Sequence, residues 1–301
     1  MQKSSSFKPV AKLTPIAAKI YAELRKQADP KRVPDLQRFF KTEKGSYGEG
    51  DQFMGLMNPQ LHALAKEYCD KVTYDDVKQL VVTPYNDQRF LCFALLRGMY
   101  EKQKRKKLPG IPKETYEVFK SLLVPYCNNW NLIDCFVPHI IGDYLVDRPK
   151  SEHKFLSAWV DDDNMWRRRA AVISTFPFIK KKQFDMPLDF CRRLLEDKED
   201  LMHKMCGWTL REVGRQDRKV LTGFLDKHTA KMPRTMLRYA IEHFDKPLKD
   251  HYMNLPSEKK GNRADGPTVG RKTQRSEGDA SEDAPAKKRQ RRQPATNSVK
   301  K

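Results

Sequence analysis

Nothing in this 301-residue chain alternates polar and apolar residues between turn signals as a half-buried β-strand would, and the 80–82 run is too short to stand for one. No run of eighteen apolar residues occurs, so no segment reads as a membrane span, and Met1-Gln2-Lys3-Ser4-Ser5-Ser6 opens no apolar signal region. The six cysteines (69, 92, 127, 135, 191 and 206) form no CxxC pair. Cys135 with His139, or His203 with Cys206, is half a metal site at best. The expectation is therefore reduced, buried thiols in an intracellular protein, and no zinc or other metal. The loop Gly45-Ser46-Tyr47-Gly48-Glu49-Gly50-Asp51 lacks the spacing and the GK[ST] ending of a phosphate-cradling loop. It reads as a connection with one exposed tyrosine, and no nucleotide or other cofactor is implied. Acidic residues are scarce too: 39 against 59 Lys and Arg, a net charge of +20. Such an excess asks for a polyanionic partner, nucleic acid first.

What is present is a succession of amphipathic helical patterns. Thr14-Pro15 reads as an N-cap followed by proline at the first helical position, ahead of a stripe of Ile16, Ile20, Tyr21 and Leu24. Asn58-Pro59 repeats the signal before Leu61, Leu64, Ala65 and Tyr68, and Thr73 caps the next helix. Asn86 begins a long apolar helix closed by Lys102-Gln103-Lys104-Arg105-Lys106-Lys107. Further helices are expected over 114–126, 136–144, 154–160, 165–176, 188–195, 201–215, 220–228 and 232–243. Helix pairs recurring every 35–45 residues or so predict an all-α, HEAT-like or armadillo-like solenoid, each pair burying one face on the next. Its concave face would be basic and sized for a duplex.

Composition divides the chain into a loose N-terminus, 1–12, one helical domain, 13–256, and a tail, 257–301. The tail has no aromatic residue and holds 13 Lys and Arg against 6 Asp and Glu. It has too little apolar surface to offset the entropy of ordering. Within it Lys287-Lys288-Arg289-Gln290-Arg291-Arg292 reads as a nuclear localisation signal, which implies an import receptor and residence in the nucleus. Residues 1–256 still carry 46 basic against 33 acidic residues, so the basicity is not confined to the tail.

The stretch with chemistry in it is Asn128-Asn129-Trp130-Asn131-Leu132-Ile133-Asp134. Helical spacing puts the indole and the carboxylate on one face, one turn apart. Breaking an N-glycosidic bond builds positive charge on the sugar, which a fixed carboxylate stabilises. A base that is already cationic leaves without a proton donor, and aromatic faces attract it. Trp208 stands on a later helix with Arg211 and Arg215 on its face, and Trp166-Arg167-Arg168-Arg169 opens another, with at least one arginine able to reach phosphate. The plain alternatives are core tryptophans, an Asp134 that caps the next helix, and a solvated basic face.

Taken together, Asn129-Trp130-x-x-x-Asp134, Trp166-x-x-Arg169-Ala170-Ala171 and Gly207-Trp208-x-Leu210-Arg211-Glu212 resemble AlkD-type DNA alkylation repair proteins. Gly55-Leu56-x-x-Pro59, Gly142-Asp143 and Lys231-Met232-Pro233-Arg234 extend the resemblance over residues 13–254. It implies a HEAT-like glycosylase that releases N3- and N7-alkylated purines from double-stranded DNA, as a monomer, without cofactor or base flipping. Asp134 would be the catalytic carboxylate and Trp130 and Trp208 the cleft aromatics. Arg169 and Arg211 would hold the DNA backbone, with Arg168, Arg215 and Tyr47 beside them. Met57 and the longer 46–51 loop depart from the pattern. Two rivals stand beside this reading: a non-catalytic binder of DNA structure, and a HEAT-type protein scaffold.

Overall fold

A computed structural model describes residues 12–107 and 111–257. The 1–12 segment, Lys12 excepted, and the tail with Lys287–Arg292 lie outside the described residues, which all belong to one compact unit. Among them there is no strand; an isolated bridge pairs Gln52 with Tyr85. The fold is an all-α helical repeat.

The helices are α1 (Pro15–Lys26), α2 (Val33–Phe39), α3 (Asn58–Tyr68), α4 (Tyr74–Leu80), α5 (Asn86–Arg105), α6 (Ile111–Tyr126), α7 (Trp130–Asp134) and α8 (Asp143–Leu145). They continue as α9 (Lys154–Trp159), α10 (Met165–Ile173), α11 (Phe176–Lys180), α12 (Asp185–Arg193), α13 (Asp200–Gln216), α14 (Arg218–His228), α15 (Arg234–Ala240) and α16 (Lys246–Asn254). One row runs α3, α5, α7, α10, α13, α15, each packed on the next. A second row, α4, α6, α11, α12 and α14, covers its far side. Leu95, Phe119, Phe136, Ile140, Leu156, Ile173 and Leu210 are fully buried along the seam.

Local chemistry sets the boundaries. Thr14 caps α1 as its sequence asks, accepting from the Ala17 amide at 3.3 Å. Thr73 and Asp76 cap α4 reciprocally: Thr73 Oγ1 accepts from the Asp76 amide at 3.2 Å and Asp76 from the Thr73 amide at 2.7 Å. At α3 the cap is Met57, one residue before the expected Asn58, because Gln60 reaches back to the Met57 amide at 2.8 Å. The helix expected over 165–176 is broken after Ile173. Ser174 and Thr175 turn their hydroxyls back onto the carbonyls of Ala170 and Val172, at 2.5 and 2.6 Å, and end α10. The helix expected over 136–144 is instead a wide π-turn, Pro138–Gly142, running into the single turn of α8. That turn brings Gly142 against α10 and α11, where a Cβ would stand 2.4 Å from the Ser174 carbonyl. The 232–243 pattern yields a shorter α15, and α16 comes after it, capped by Asp245.

Candidate active site

Five residues are too few to hold α7 in place by their own hydrogen bonds, so its surroundings decide where Trp130 and Asp134 point. At its start the Asn129 side chain accepts from the Trp130 amide at 2.9 Å. The Trp130 ring stacks on Phe40 (centroids 5.2 Å apart, planes 26° apart), and Phe40 stacks on Phe53 at 5.1 Å. Phe39 meets Trp130 edge-on at 5.7 Å while 57% of its own surface stays exposed. Trp130, Trp166 and Trp208 are all half-buried, and Trp166 and Trp208 pack against the hydrophobic core.

Asp134 is the last residue of α7 and does not cap the next helix. Both its oxygens face Arg169 of α10: Nε donates to Oδ1 at 2.9 Å and Nη2 to Oδ2 at 2.7 Å. The pair is nearly buried, with side-chain exposures of 7% for Arg169 and 12% for Asp134. Arg169 Nη1 donates to the Leu201 carbonyl of α13 at 2.7 Å. One guanidinium thus ties three neighbouring helices together. Three of its five N–H donors are used within the protein, a set of partners that the expected phosphate role did not include.

Arg168 is also committed, with two donors to Asp197 at 2.7 and 3.2 Å and Nη1 to the carbonyls of Asp162 and Asp163. Arg167 pairs with Asp162 at 2.7 Å. Each of the three consecutive arginines has an acidic partner of its own, and Arg167, with 35% of its side chain exposed, is the most open of them to the surface.

On α13 the expected face exists. Trp208 packs edge-on against Phe176 at 4.9 Å and donates its indole N–H to Glu212 at 3.2 Å. Arg215, exposed, donates to the same carboxylate at 3.1 Å, and Arg211 pairs with Glu242. Tyr47 is half-buried, not the exposed loop residue its sequence suggested, and its ring meets Trp166 edge-on at 6.1 Å. Burial raises its pKa, while a hydrogen bond from Trp130 and the charges of Lys204 and Arg169 pull the other way. The phenol therefore lies near Trp130 of α7, Trp166 and Arg169 of α10 and Lys204 of α13. Lys204, one turn before Trp208, is held on Asp200 at 3.1 Å, and that bond raises its pKa.

The family model described as DNA alkylation repair enzyme matches residues 20–244. The chain belongs to that family. No curated protein matches the chain. Among solved structures, a "Predicted DNA alkylation repair enzyme from Enterococcus faecalis" aligns with a TM-score of 0.56 at 13% identity, covering 73% of this chain and 98% of that chain. At that identity the likeness is one of fold. The family match spans the whole site, from Phe39 to Glu242, and DNA alkylation repair is the setting in which its groups are to be understood.

Several residues of this candidate site were not singled out in the sequence. Lys204 had a signal, since it lies four residues before Trp208 on one helix face. Phe39 and Phe40 stand at the end of α2, and nothing local showed that Trp130 would pack on them. Glu212 stood in the quoted motif without a role, and nothing local marked Glu242. Among the described residues no three of His, Cys, Asp and Glu gather as a metal site would require, and the cysteines are unpaired.

Proposed function

We propose that the chain is a DNA glycosylase that hydrolyses the N-glycosidic bond of positively charged N3- and N7-alkylated purines in duplex DNA. The observation that carries this reading is Asp134, nearly buried, fixed by two hydrogen bonds from Arg169, one turn from the face of Trp130. When the bond between C1′ and the base nitrogen breaks, the bonding pair leaves with the base and cancels its positive charge, so no general acid is needed. Charge then builds on the sugar, and a carboxylate that needs no reorganisation stabilises it. Each Asp134 oxygen keeps a lone pair beyond the one given to Arg169, enough to orient a water towards C1′ and take up its proton. The faces of Trp130 and Trp208 attract the cationic base, by about 0.5–2 kcal/mol per contact. No snug base pocket is needed if the lesion stays in the stack.

The test is release of 7-methylguanine and 3-methyladenine from methylated duplex DNA. Asp134→Asn should keep the fold and DNA binding while slowing release by about 10²–10³-fold. Equal release from both proteins would remove Asp134 from the mechanism. Salt-sensitive binding with no release from either would establish the non-catalytic binder instead. We place the protein in the nucleus, carried by an import receptor that reads Lys287–Arg292.

A further inference from the structure

The 41–53 loop, which looked like a simple connection, holds the most densely hydrogen-bonded carboxylate among the described residues, and it is not Asp134. Asp51 has a side chain 1% exposed and accepts from four residues. Arg89 Nη2 and Asn128 Nδ2 (2.7 Å) donate to Oδ1, and Asn86 Nδ2 (2.9 Å) and Asn129 Nδ2 (3.1 Å) donate to Oδ2. The Asn129 amide is the cap of α7, and its oxygen takes the Trp130 amide. Asp51 holds the Asn129 nitrogen, so it fixes which end of that side chain faces Trp130. The chain of contacts runs Asp51, Asn129, Trp130, one turn, Asp134.

The loop is shaped to deliver this carboxylate. The Asp51 amide bonds the Gly48 carbonyl at 3.0 Å, and Gln52 is pinned to the start of α5 through Pro84 and Asn86. Gly48 lies so close that a Cβ there would stand 2.3 Å from the Phe40 carbonyl and 2.9 Å from Asn129 Nδ2. The same loop places Tyr47 against Trp166 and leads into Phe53 under Phe40. It braces Trp130 through its ring stack as well as through its backbone.

We propose that Asp51 is a positioning residue for the excision site: through the Asn129 cap it sets the orientation of α7, and hence of Trp130 and Asp134, without touching DNA. This rests on the glycosylase reading for its kinetic arm only. A buried anion with four donors is a large investment for a surface loop, and the donor nearest α7 is the one that reaches Trp130. Misplacing a reacting group by about 1 Å can cost 10²-fold in rate, so a five-residue helix needs such a brace.

The test uses the full chain. Asp51→Asn keeps the size but turns one acceptor into a donor facing donors. Asn129→Ser keeps a competent cap for Trp130 and removes the link to Asp51, so it carries the test if Asp51→Asn does not fold. Release of 7-methylguanine should fall at least tenfold or so in kcat, with KM for duplex changed about twofold or less. Adding Asp134→Asn to either variant should cost much less than it does in the wild type, because both act on one step. Full additivity, or an unchanged kcat in a folded variant, would overturn the proposal. The second readout needs no activity. The Trp130 contribution to fluorescence, taken against Trp130→Phe, should shift and become more open to acrylamide in Asp51→Asn and Asn129→Ser. An unchanged Trp130 signal in both would also overturn it. If the wild type releases no base, the glycosylase reading fails and the Trp130 signal alone decides the role of Asp51.

Discussion

Asp134 and Arg169 form a pair in which each residue limits what the other can do. Two parallel hydrogen bonds fix the carboxylate in a plane, which a lysine, with one point charge, would not do. Arg169→Ala should therefore act as a site mutation rather than as a weakened phosphate contact. It leaves a half-buried carboxylate without its partner and should lower stability by on the order of 3 kcal/mol in urea unfolding. Arg215 is the contrasting case, exposed and sharing Glu212 with Trp208. Arg215→Ala should leave the unfolding midpoint within experimental error and reduce the salt slope of duplex binding by about one. A loss of stability in the second variant, or none in the first, would reverse the assignment. At this scale the sequence was informative about which residues share a face and less so about their partners. Helical spacing announced Trp130 with Asp134, and Trp208 with Arg211. Nothing local could show that Arg169 would be spent on Asp134, because that contact spans 35 residues and depends on how α7 and α10 pack.

Two helix starts were legible in full, Thr14 at α1 and Thr73 at α4, each capping through a bond within three residues. Asn129 and Asn164 cap in the same local way without having been singled out as caps. The misses have separate causes: hydroxyls at 174 and 175 that turn inward, a π-turn that packs closely at Gly142, and a Gln60 that shifts a cap by one residue. Asp76 shows how one cap reaches further, since besides Thr73 it accepts from the Thr14 hydroxyl and so joins the starts of α1 and α4. Burial pushes its pKa up, but the hydrogen bonds from Thr14 and Thr73 outweigh this and hold it below the usual carboxylate value. A group lowered on folding adds stability above its unfolded pKa, and that stability is lost as pH falls through the folded value. Acidification through that window should therefore destabilise the protein more steeply than it does Asp76→Asn. Parallel pH curves for the two in thermal unfolding would remove Asp76 from the linkage.

For the whole molecule, charge and packing answer different questions. The +20 excess said that the partner is a polyanion, and family membership makes it DNA. Arg167, Arg168, Arg169 and Arg211 nonetheless all have acidic partners, so the net charge does not say which cations face phosphate. The helical repeat was legible from periodicity because each helix buries one face on its neighbours. The loop that braces the site was not, because its purpose lies in Asn128 and Asn129, 77 and 78 residues further on.

That separation bears on the order in which the chain can assemble. Local helices close in sequence and form fast, but ring closure over a long span must be made before it is rewarded. While the chain is being synthesised, Asp51 has no Asn129 to hold, Asp134 then waits 35 residues for Arg169, and Arg169 waits 32 more for the Leu201 carbonyl. A nascent fragment ending before residue 169 would carry the tryptophan and the carboxylate together and still leave them unfixed, so competence at the site is a late event in the life of the polypeptide.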